Sequence, residues 1–393
     1  MGVLEGVRVL DFGRYIAGPY CAALLAEYGA EVIRIEKRDG SEDRFVAPIT
    51  EGGEGALFMQ MNRNKLSMTL DPACARGREV VARLVSTADV VIANLPEPTL
   101  LSMGLDYETL RAIRPDIILT TTSAYGTVGP LSEQVGFDGV GQVMSGAAYL
   151  TGPEGQPYRA AVPWVDFGTA LHSAFATVLA LISRGKTGEG QAVTTSLLAT
   201  ALTFMSPTLV EQAATGVDRR PLGNRSHGSA PTDLFQTQDG WILVQVVGQP
   251  LYRRWAGLMA DDNWLTDPRF ADDTSRGRHG DLISARMALW CGTRTRAQAL
   301  LELGAARIPA APVLRPREAI EHPHVQAMGV MEMVDYPAHA DGVRVFRAPA
   351  GMSATPGSIR KRPPTLGEHT DQILAALGYA PKDIAELRAC QAV

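Results

Sequence analysis

The chain has 393 residues, 46% of them hydrophobic and 20% charged, with a net charge of −5. That length exceeds one ordinary hydrophobic core and predicts two domains or three, while the composition excludes fibrous and disordered classes. The acidic balance offers no general attraction to nucleic acid or to an anionic membrane.

The opening Met1-Gly2-Val3-Leu4-Glu5-Gly6 has neither the basic segment nor the apolar core of a signal peptide. Gly6 stands where a myristoylation signal needs Ser or Thr. The longest apolar stretch, residues 174–182, is too short to span a bilayer. A cytoplasmic protein with no nucleic-acid or membrane partner is expected. Cys21, Cys74, Cys291 and Cys390 are scattered, without C-x-x-C pairs or histidines at metal spacing, so neither disulfides nor a metal site is predicted.

The first 200 residues alternate strand and helix patterns. Strands are expected at 7–12, 31–36, 67–70, 89–93 and 116–120, with a small-residue helix at 18–28 and a further helix at 107–113. Asp71-Pro72 reads as an N-cap with proline at the first helical position, opening a helix to Val85. This rhythm predicts a parallel sheet covered by helices on both faces. A long helix over 167–183, closed by Gly185, leads to an extended segment at 191–196. We divide the chain into a large-domain N-terminal part (1–205), a linker with a glycine-bearing loop (206–231), a small domain (232–312), and a return linker with the C-terminal part of the large domain (313–393). The small domain should begin with a strand at 240–246; the tail carries a strand at 343–345 and a helix at 370–377. The layout is that of a large domain interrupted by a smaller one.

Asp166 stands out in Trp164-Val165-Asp166-Phe167-Gly168, at an expected strand-to-helix junction with apolar residues before it and small ones after. It reads locally either as the N-cap of the long helix or as a partly shielded carboxylate nucleophile. Several familiar signatures are absent. Gly185-Lys186-Thr187 follows a helix rather than a strand and has Ala180 where a P-loop needs glycine. Gly13 and Gly18 lack dinucleotide-fingerprint spacing, and no G-x-S-x-G elbow exists. Glu36 ends the second strand, but Lys37 and Arg38 follow at once, which favours a phosphate-bearing ligand.

An ordered set of segments carries a resemblance. It comprises Leu4-Glu5-Gly6-Val7-Arg8-Val9-Leu10-Asp11-Phe12, Ala17-Gly18-Pro19, residues 25–36, Asn62-Arg63-Asn64-Lys65, residues 89–94, Gly136-Phe137-Asp138, residues 185–191 and Leu366-Gly367-Glu368-His369-Thr370. Taken in order, these resemble the class III CoA-transferases, the CaiB/BaiF family, which includes formyl-CoA transferases and α-methylacyl-CoA racemases. The resemblance implies an α/β protein: a Rossmann-like parallel-sheet large domain, a smaller inserted α+β domain, and an interlocked homodimer. It implies no permanently bound cofactor, with coenzyme A entering as acyl-CoA co-substrate and a small carboxylic acid as the other partner. The family's nucleophile falls on Asp166. CoA-contacting positions fall on Lys37, Arg38, Leu70, Asp71, Asn94, Phe137 and Asp138. Residues 223–229 match the loop that closes over the site in relatives, which adds Arg225 and Gly228 to the substrate positions; Arg14 and Arg225 are candidates for holding a distal carboxylate.

The chain also departs from its relatives. Ile16 replaces the glutamine of formyl-CoA transferases, which argues against formate or oxalate as substrate. Phe137 replaces the histidine that racemases use as one of two bases, and a phenyl ring carries no proton. The leading expectation is CoA transfer between two carboxylic acids through an aspartyl anhydride, intramolecular transfer included. A racemase and a non-catalytic CoA-binding protein are the alternatives.

Overall fold

The computed structural model describes residues 2–337 and 339–393. The chain divides into two compact units, the first holding 1–145, 160–210 and 328–393, the second 146–159 and 211–327. In chain order the first unit opens with β1 (Arg8–Asp11), α1 (Ala17–Glu27), β2 (Glu31–Glu36), α2 (Ala56–Met61) and β3 (Lys65–Thr69). It continues with α3 (Ala75–Thr87), β4 (Val90–Ala93), α4 (Glu97–Met103), α5 (Tyr107–Ile113), β5 (Ile118–Ser123) and α6 (Asp138–Met144). After α7 (Ala147–Leu150), in the second unit, it resumes with α8 (Trp164–Thr187), β6 (Ala192–Ser196) and α9 (Leu197–Phe204).

These six strands form one parallel sheet in the order β3-β2-β1-β4-β5-β6. The order reverses between β1 and β4, and ligands bind outside the carboxyl ends of strands at such a switch point. β1 and β4 are almost wholly buried, as strands covered on both faces must be. α1 is buried along its whole length, and its Ala, Gly and Cys side chains suit a helix lying between neighbours on every side. α8 packs against α1, β5 and β6. By length and composition α8 could cross a membrane. The expectation of too short an apolar stretch considered only residues 174–182, and the 24-residue helix extends well beyond them.

Buried charge organises the strand ends. The Lys65 ammonium donates to Asp11 Oδ2 (2.7 Å), the Pro19 carbonyl (2.8 Å) and Asn62 Oδ1 (3.0 Å). Arg34 pairs with Asp43 at 2.8 Å and lies 3.7 Å from Asp11. Burial pushes the Asp11 carboxyl up, but Lys65 and Arg34 outweigh it and hold the group below its ordinary range. Asn62-Arg63-Asn64-Lys65 is thus a structural clip. Arg63 pairs with the buried Glu27 at 2.7 Å, and Asn64 Oδ1 accepts the N–H groups of Arg360 (2.6 Å) and Lys361 (2.9 Å).

The chain continues through α10 (Ser206–Thr215), β7 (Thr232–Thr237), β8 (Gly240–Gln245), α11 (Gln249–Met259), α12 (Asn263–Thr266) and α13 (Asp273–Arg278). Then follow α14 (Gly280–Gly292), α15 (Arg296–Ala305), β9 (Ala310–Pro312), α16 (Pro316–Glu321) and α17 (Pro323–Ala327). In the second unit β7, β8 and β9 form an antiparallel sheet over a core built on Phe235, Tyr252, Trp255 and Trp290. The first unit closes with a hairpin of β10 (Met331–Tyr336) and β11 (His339–Phe346), then α18 (Thr370–Ala376) and α19 (Pro381–Ala389). This tail lies along β3, the edge strand. The His369 N–H reaches the Ser67 carbonyl at 2.9 Å, and the Ser67 N–H returns to His369 Nδ1 at 3.2 Å. An edge strand exposes unpaired backbone groups, and the tail satisfies those of β3.

Several boundaries differ from expectation. The cap of α3 is Cys74, whose Sγ accepts the Gly77 N–H, while the Asp71 carboxylate is turned to the Ala73 N–H at 3.0 Å. The stretch 206–231 opens with a helix, α10, rather than with linker. β7 precedes β8 in the second unit, and α19 follows the expected last helix.

Replacing Lys65 with methionine leaves Asp11 buried beside Arg34 alone. Removing one partner of a buried ion pair is expected to cost about 3 kcal/mol, read as a lower urea midpoint at an unchanged slope. An unchanged midpoint would show that Arg34 suffices.

Candidate active site

Asp166 is the third residue of α8 and not its cap. The helix begins three residues earlier than expected, after Pro163, and ends at Gly188 in the left-handed conformation rather than at Gly185. The reason is Asp138. Its buried carboxylate caps α8 from another element: Oδ2 accepts the N–H groups of Val165 (2.8 Å) and Asp166 (3.2 Å). Gln142, one turn along α6, donates to Asp138 Oδ1 and accepts the Ala160 N–H at 2.8 Å. With the helix end already satisfied, the Asp166 side chain is free to project from it.

Close packing fixes the rest of the first turn. A Cβ on Gly141 would lie 2.7 Å from Val165 Cγ1, and one on Gly168 would lie 2.6 Å from the Phe204 ring, so α6 and α9 approach α8 only because these positions are glycine. Thr169 Oγ1 donates to the Val165 carbonyl at 2.8 Å and is hydrogen-bonded with Thr200 Oγ1 at 2.9 Å.

The Asp166 carboxylate accepts no hydrogen bond among the described residues. Burial, then the negative charge of Asp138, raises its pKa to about 7. A first-turn carboxylate normally gains from the helix dipole, but here Asp138 occupies the N–H groups that would supply that gain. The connection from β5 through α8 to the parallel strand β6 requires α8 to run against the strands. Asp166, at the start of α8, therefore lies at the carboxyl edge of the sheet.

A groove of about 840 Å³ opens at the same edge. Arg14, Lys37, Arg38, Leu70 and Asp71 line it, together with Glu42. Arg14 donates to the carbonyls of Phe12 (3.1 Å) and Gly13 (2.9 Å) at the end of β1, so it stands with Lys37 and Arg38 as a third groove cation. Lys37 is paired with Glu42 and both are exposed. Asn94 is not in the lining. Its amide clamps the Arg14 backbone, accepting the N–H at 2.6 Å and donating to the carbonyl at 2.8 Å. Nor do Phe137 and Asp138 line the groove; they stand beside α8. Ile16 is buried against the α1 core, near Tyr20 and Phe167.

Arg225 and Gly228 belong to the second unit. Their loop is anchored there by a Gly223 N–H to Gly152 carbonyl bond (3.0 Å) and a Ser226 N–H to Thr232 carbonyl bond (3.1 Å). The Gly228 N–H is donated to Ser226 Oγ at 3.1 Å. Two contributors escaped the sequence reading. Gln142 had a signal, since it stands four residues after Asp138 on one helix. Tyr15 had none: it holds φ 59° and meets the Phe137 ring edge-on at 5.5 Å. Among the described residues no cluster could hold a metal ion.

A groove in which Arg14, Lys37 and Arg38 stand among Glu36, Asp39, Glu42 and Asp71, and a partly buried carboxylate at the same carboxyl edge of a doubly wound sheet, give the layout of an α/β enzyme. Comparison with known proteins narrows the class. Residues 4–370 match CoA-transferase family III, and the chain belongs to that family. It is 32% identical to the succinyl-CoA–D-citramalate CoA-transferase of Chloroflexus aurantiacus, over 98% of this chain and 97% of that protein. It is 33% identical to the succinate–glutarate CoA-transferase of Agrobacterium fabrum, over 95% of each. A crystal structure of a CaiB/BaiF family protein from Brucella suis matches with TM-score 0.84 and 31% identity, covering 96% of this chain and 99% of that one. The protein is thus a family III CoA-transferase, with a CoA thioester as co-substrate.

The raised pKa of Asp166 has a consequence for stability. Below pH 3.8 the group is protonated in both folded and unfolded chains and contributes nothing. Above that the unfolded chain ionises first, so the folded state loses stability progressively until about pH 7. Asp166→Asn removes this loss. Its Tm should exceed that of the wild type by about 4 °C or more at pH 8, with the gain vanishing near pH 4. A gain independent of pH would contradict the burial argument.

Proposed function

We propose that Asp166 is the nucleophile through which CoA passes from a donor acid to an acceptor acid. The observation that carries this reading is geometric: a partly buried carboxylate in the first turn of α8 that accepts no hydrogen bond among the described residues while Asp138 holds its backbone N–H, an environment in which burial raises its pKa to about 7. Such a group is a stronger nucleophile than a hydrated carboxylate and is half ionised at neutral pH.

The ionised Asp166 attacks the acyl-CoA carbonyl; the C–S bond breaks, giving an aspartyl–acyl anhydride and CoA thiolate. The thiolate attacks the aspartyl carbonyl, the donor acid leaves as carboxylate, and an aspartyl-CoA thioester remains. An acceptor carboxylate attacks that thioester, and thiolate return onto the acceptor carbonyl yields the new acyl-CoA and regenerates Asp166. One negative charge is carried at every stage, so no proton need be exchanged. Each addition passes through an oxyanion that requires N–H donors. Those of Val165, Asp166 and Phe167 are already engaged. The 223–229 loop is the proposed source, and its closure would keep water from the anhydride. Arg14, Lys37 and Arg38 are proposed to hold the CoA phosphates in the groove, with the Lys37–Glu42 pair opening as they bind. Phe137 supports transfer over racemisation, which needs a second proton-carrying base.

The assembly we propose is a homodimer of interlocked chains. α8 supports it: Leu171, Phe175, Leu179 and Ile182 share one face and remain exposed in the single chain, an apolar stripe suited to burial against a second copy.

Incubation with an acyl-CoA donor and hydroxylamine, without acceptor, should inactivate the enzyme by forming a hydroxamate at Asp166, and Asp166→Ala should fold yet transfer nothing. A racemase or passive binder would not be labelled; donor-dependent labelling of another carboxylate would overturn the assignment. For the assembly, sedimentation at nanomolar concentration should reveal no folded monomer, and a folded monomer there would refute interlocking.

A further inference from the structure

Two residues of the groove are held by the turn that closes α19. In that turn the Gln391 N–H reaches the Arg388 carbonyl at 3.0 Å and the Ala392 N–H reaches the Leu387 carbonyl at 2.9 Å. The side chains of Ala392 and Leu387 are buried in one cluster, which completes the usual form of such a cap. α18 ends in the same way: the N–H groups of Gly378 and Tyr379 reach the carbonyls of Ala375 (3.0 Å) and Leu374 (3.1 Å). There the left-handed position is a glycine, at φ 86°. At the matching position of α19 the chain has Gln391, at φ 62°. That conformation costs a residue with a Cβ and is almost free for glycine. Glycine would therefore cap α19 better, and what the position gains from glutamine is its side chain.

The turn meets the groove at two points. The Asp71 N–H donates to the Ala392 carbonyl at 2.8 Å, and Arg38 Nη2 donates to Gln391 Oε1 at 3.4 Å. Arg38 and Asp71 both line the groove, and Leu70, between β3 and Asp71, is buried in the same cluster as Ala392. The two cations after β2 are held differently. Lys37 is paired with the Glu42 carboxylate. Of the other groove acids, Glu36 is taken by Arg44 at 2.6 Å and Asp71 by the Ala73 N–H. Among the described residues the Arg38 guanidinium has an amide oxygen as its acceptor and no carboxylate. An amide oxygen orients a guanidinium without neutralising it, whereas a carboxylate would compete with a phosphate for the same fork of N–H donors.

We infer that Gln391 is a positioning residue for coenzyme A, orienting Arg38 at the groove while leaving its charge free for a phosphate. This inference rests on the reading of the groove as the CoA phosphate site.

Calorimetric titration of the purified protein with coenzyme A tests it and needs no acid substrate. Gln391→Gly should raise the Kd about threefold, the effect of one exposed hydrogen bond to a charged group. It should do so without lowering the urea midpoint, because glycine suits the turn. Gln391→Glu keeps the shape and sets a carboxylate beside Arg38, so it should raise the Kd further than glycine does, by a margin that shrinks at high salt. Arg38→Ala should also weaken binding, and Gln391→Gly should then add nothing to it. An unchanged Kd in Gln391→Gly would overturn the inference, and with a lowered midpoint it would mark the residue as a helix cap alone. A threefold loss that persists when Arg38 is already alanine would overturn it too. The reading beneath it fails separately: Arg38→Ala without effect on the Kd would refute the groove as the phosphate site, whereas weaker binding in Arg38→Ala with inert Gln391 variants would refute the positioning role alone.

Discussion

The Asp138 carboxylate receives two N–H groups at the start of α8, and the placement of Asp166 follows from that contact. A helix ordinarily satisfies its first N–H groups with a residue of its own. Here the cap is borrowed from α6, so a carboxylate inside the first turn is released from local duty and projects outward. The same contact bears on the electrostatics. It puts a negative charge beside Asp166 and uses the backbone dipoles that would otherwise favour the ionised form, adding to the burial that is the larger cause of the raised pKa. Gln142 holds Asp138 in turn, and the glycines at 141 and 168 let the three helices meet.

The sheet was legible because its strands announce themselves. Val9-Leu10 and Val90-Val91-Ile92 are continuous apolar runs, as strands buried on both faces must be. The basic pair after the second strand marked the groove, since Lys37 and Arg38 line it. What stayed hidden depends on contacts distant in sequence. Asp166 resembles a cap in isolation, and only the capping carboxylate 28 residues earlier excludes that role. Asn94 and Asn62-Arg63-Asn64-Lys65 belong to a family signature, yet what they hold is backbone and buried charge; no local pattern distinguishes a clamp from a ligand contact. Tyr15 was invisible because a left-handed tyrosine has no compositional sign.

The switch point joins the groove to the carboxylate. Asn94 fixes the loop after β1 by both edges of its amide, and that loop carries Arg14 towards the groove and Tyr15 towards Phe137. One asparagine therefore fixes the loop from which a cation enters the groove and an aromatic ring meets Phe137.

The cover over β3 also bears on how the chain folds during synthesis. The contact between Thr69 and Thr370 closes a loop of 301 residues, and the whole second unit is made in between. At roughly 5–20 residues per second, the ribosome leaves that sheet edge open for about 15–60 s. For that interval the first unit presents an unsatisfied strand to its surroundings, and nascent-chain chaperones have their longest opportunity there. A stop codon a few dozen residues early would therefore do more than shorten the protein: it would release a chain whose sheet edge never closes.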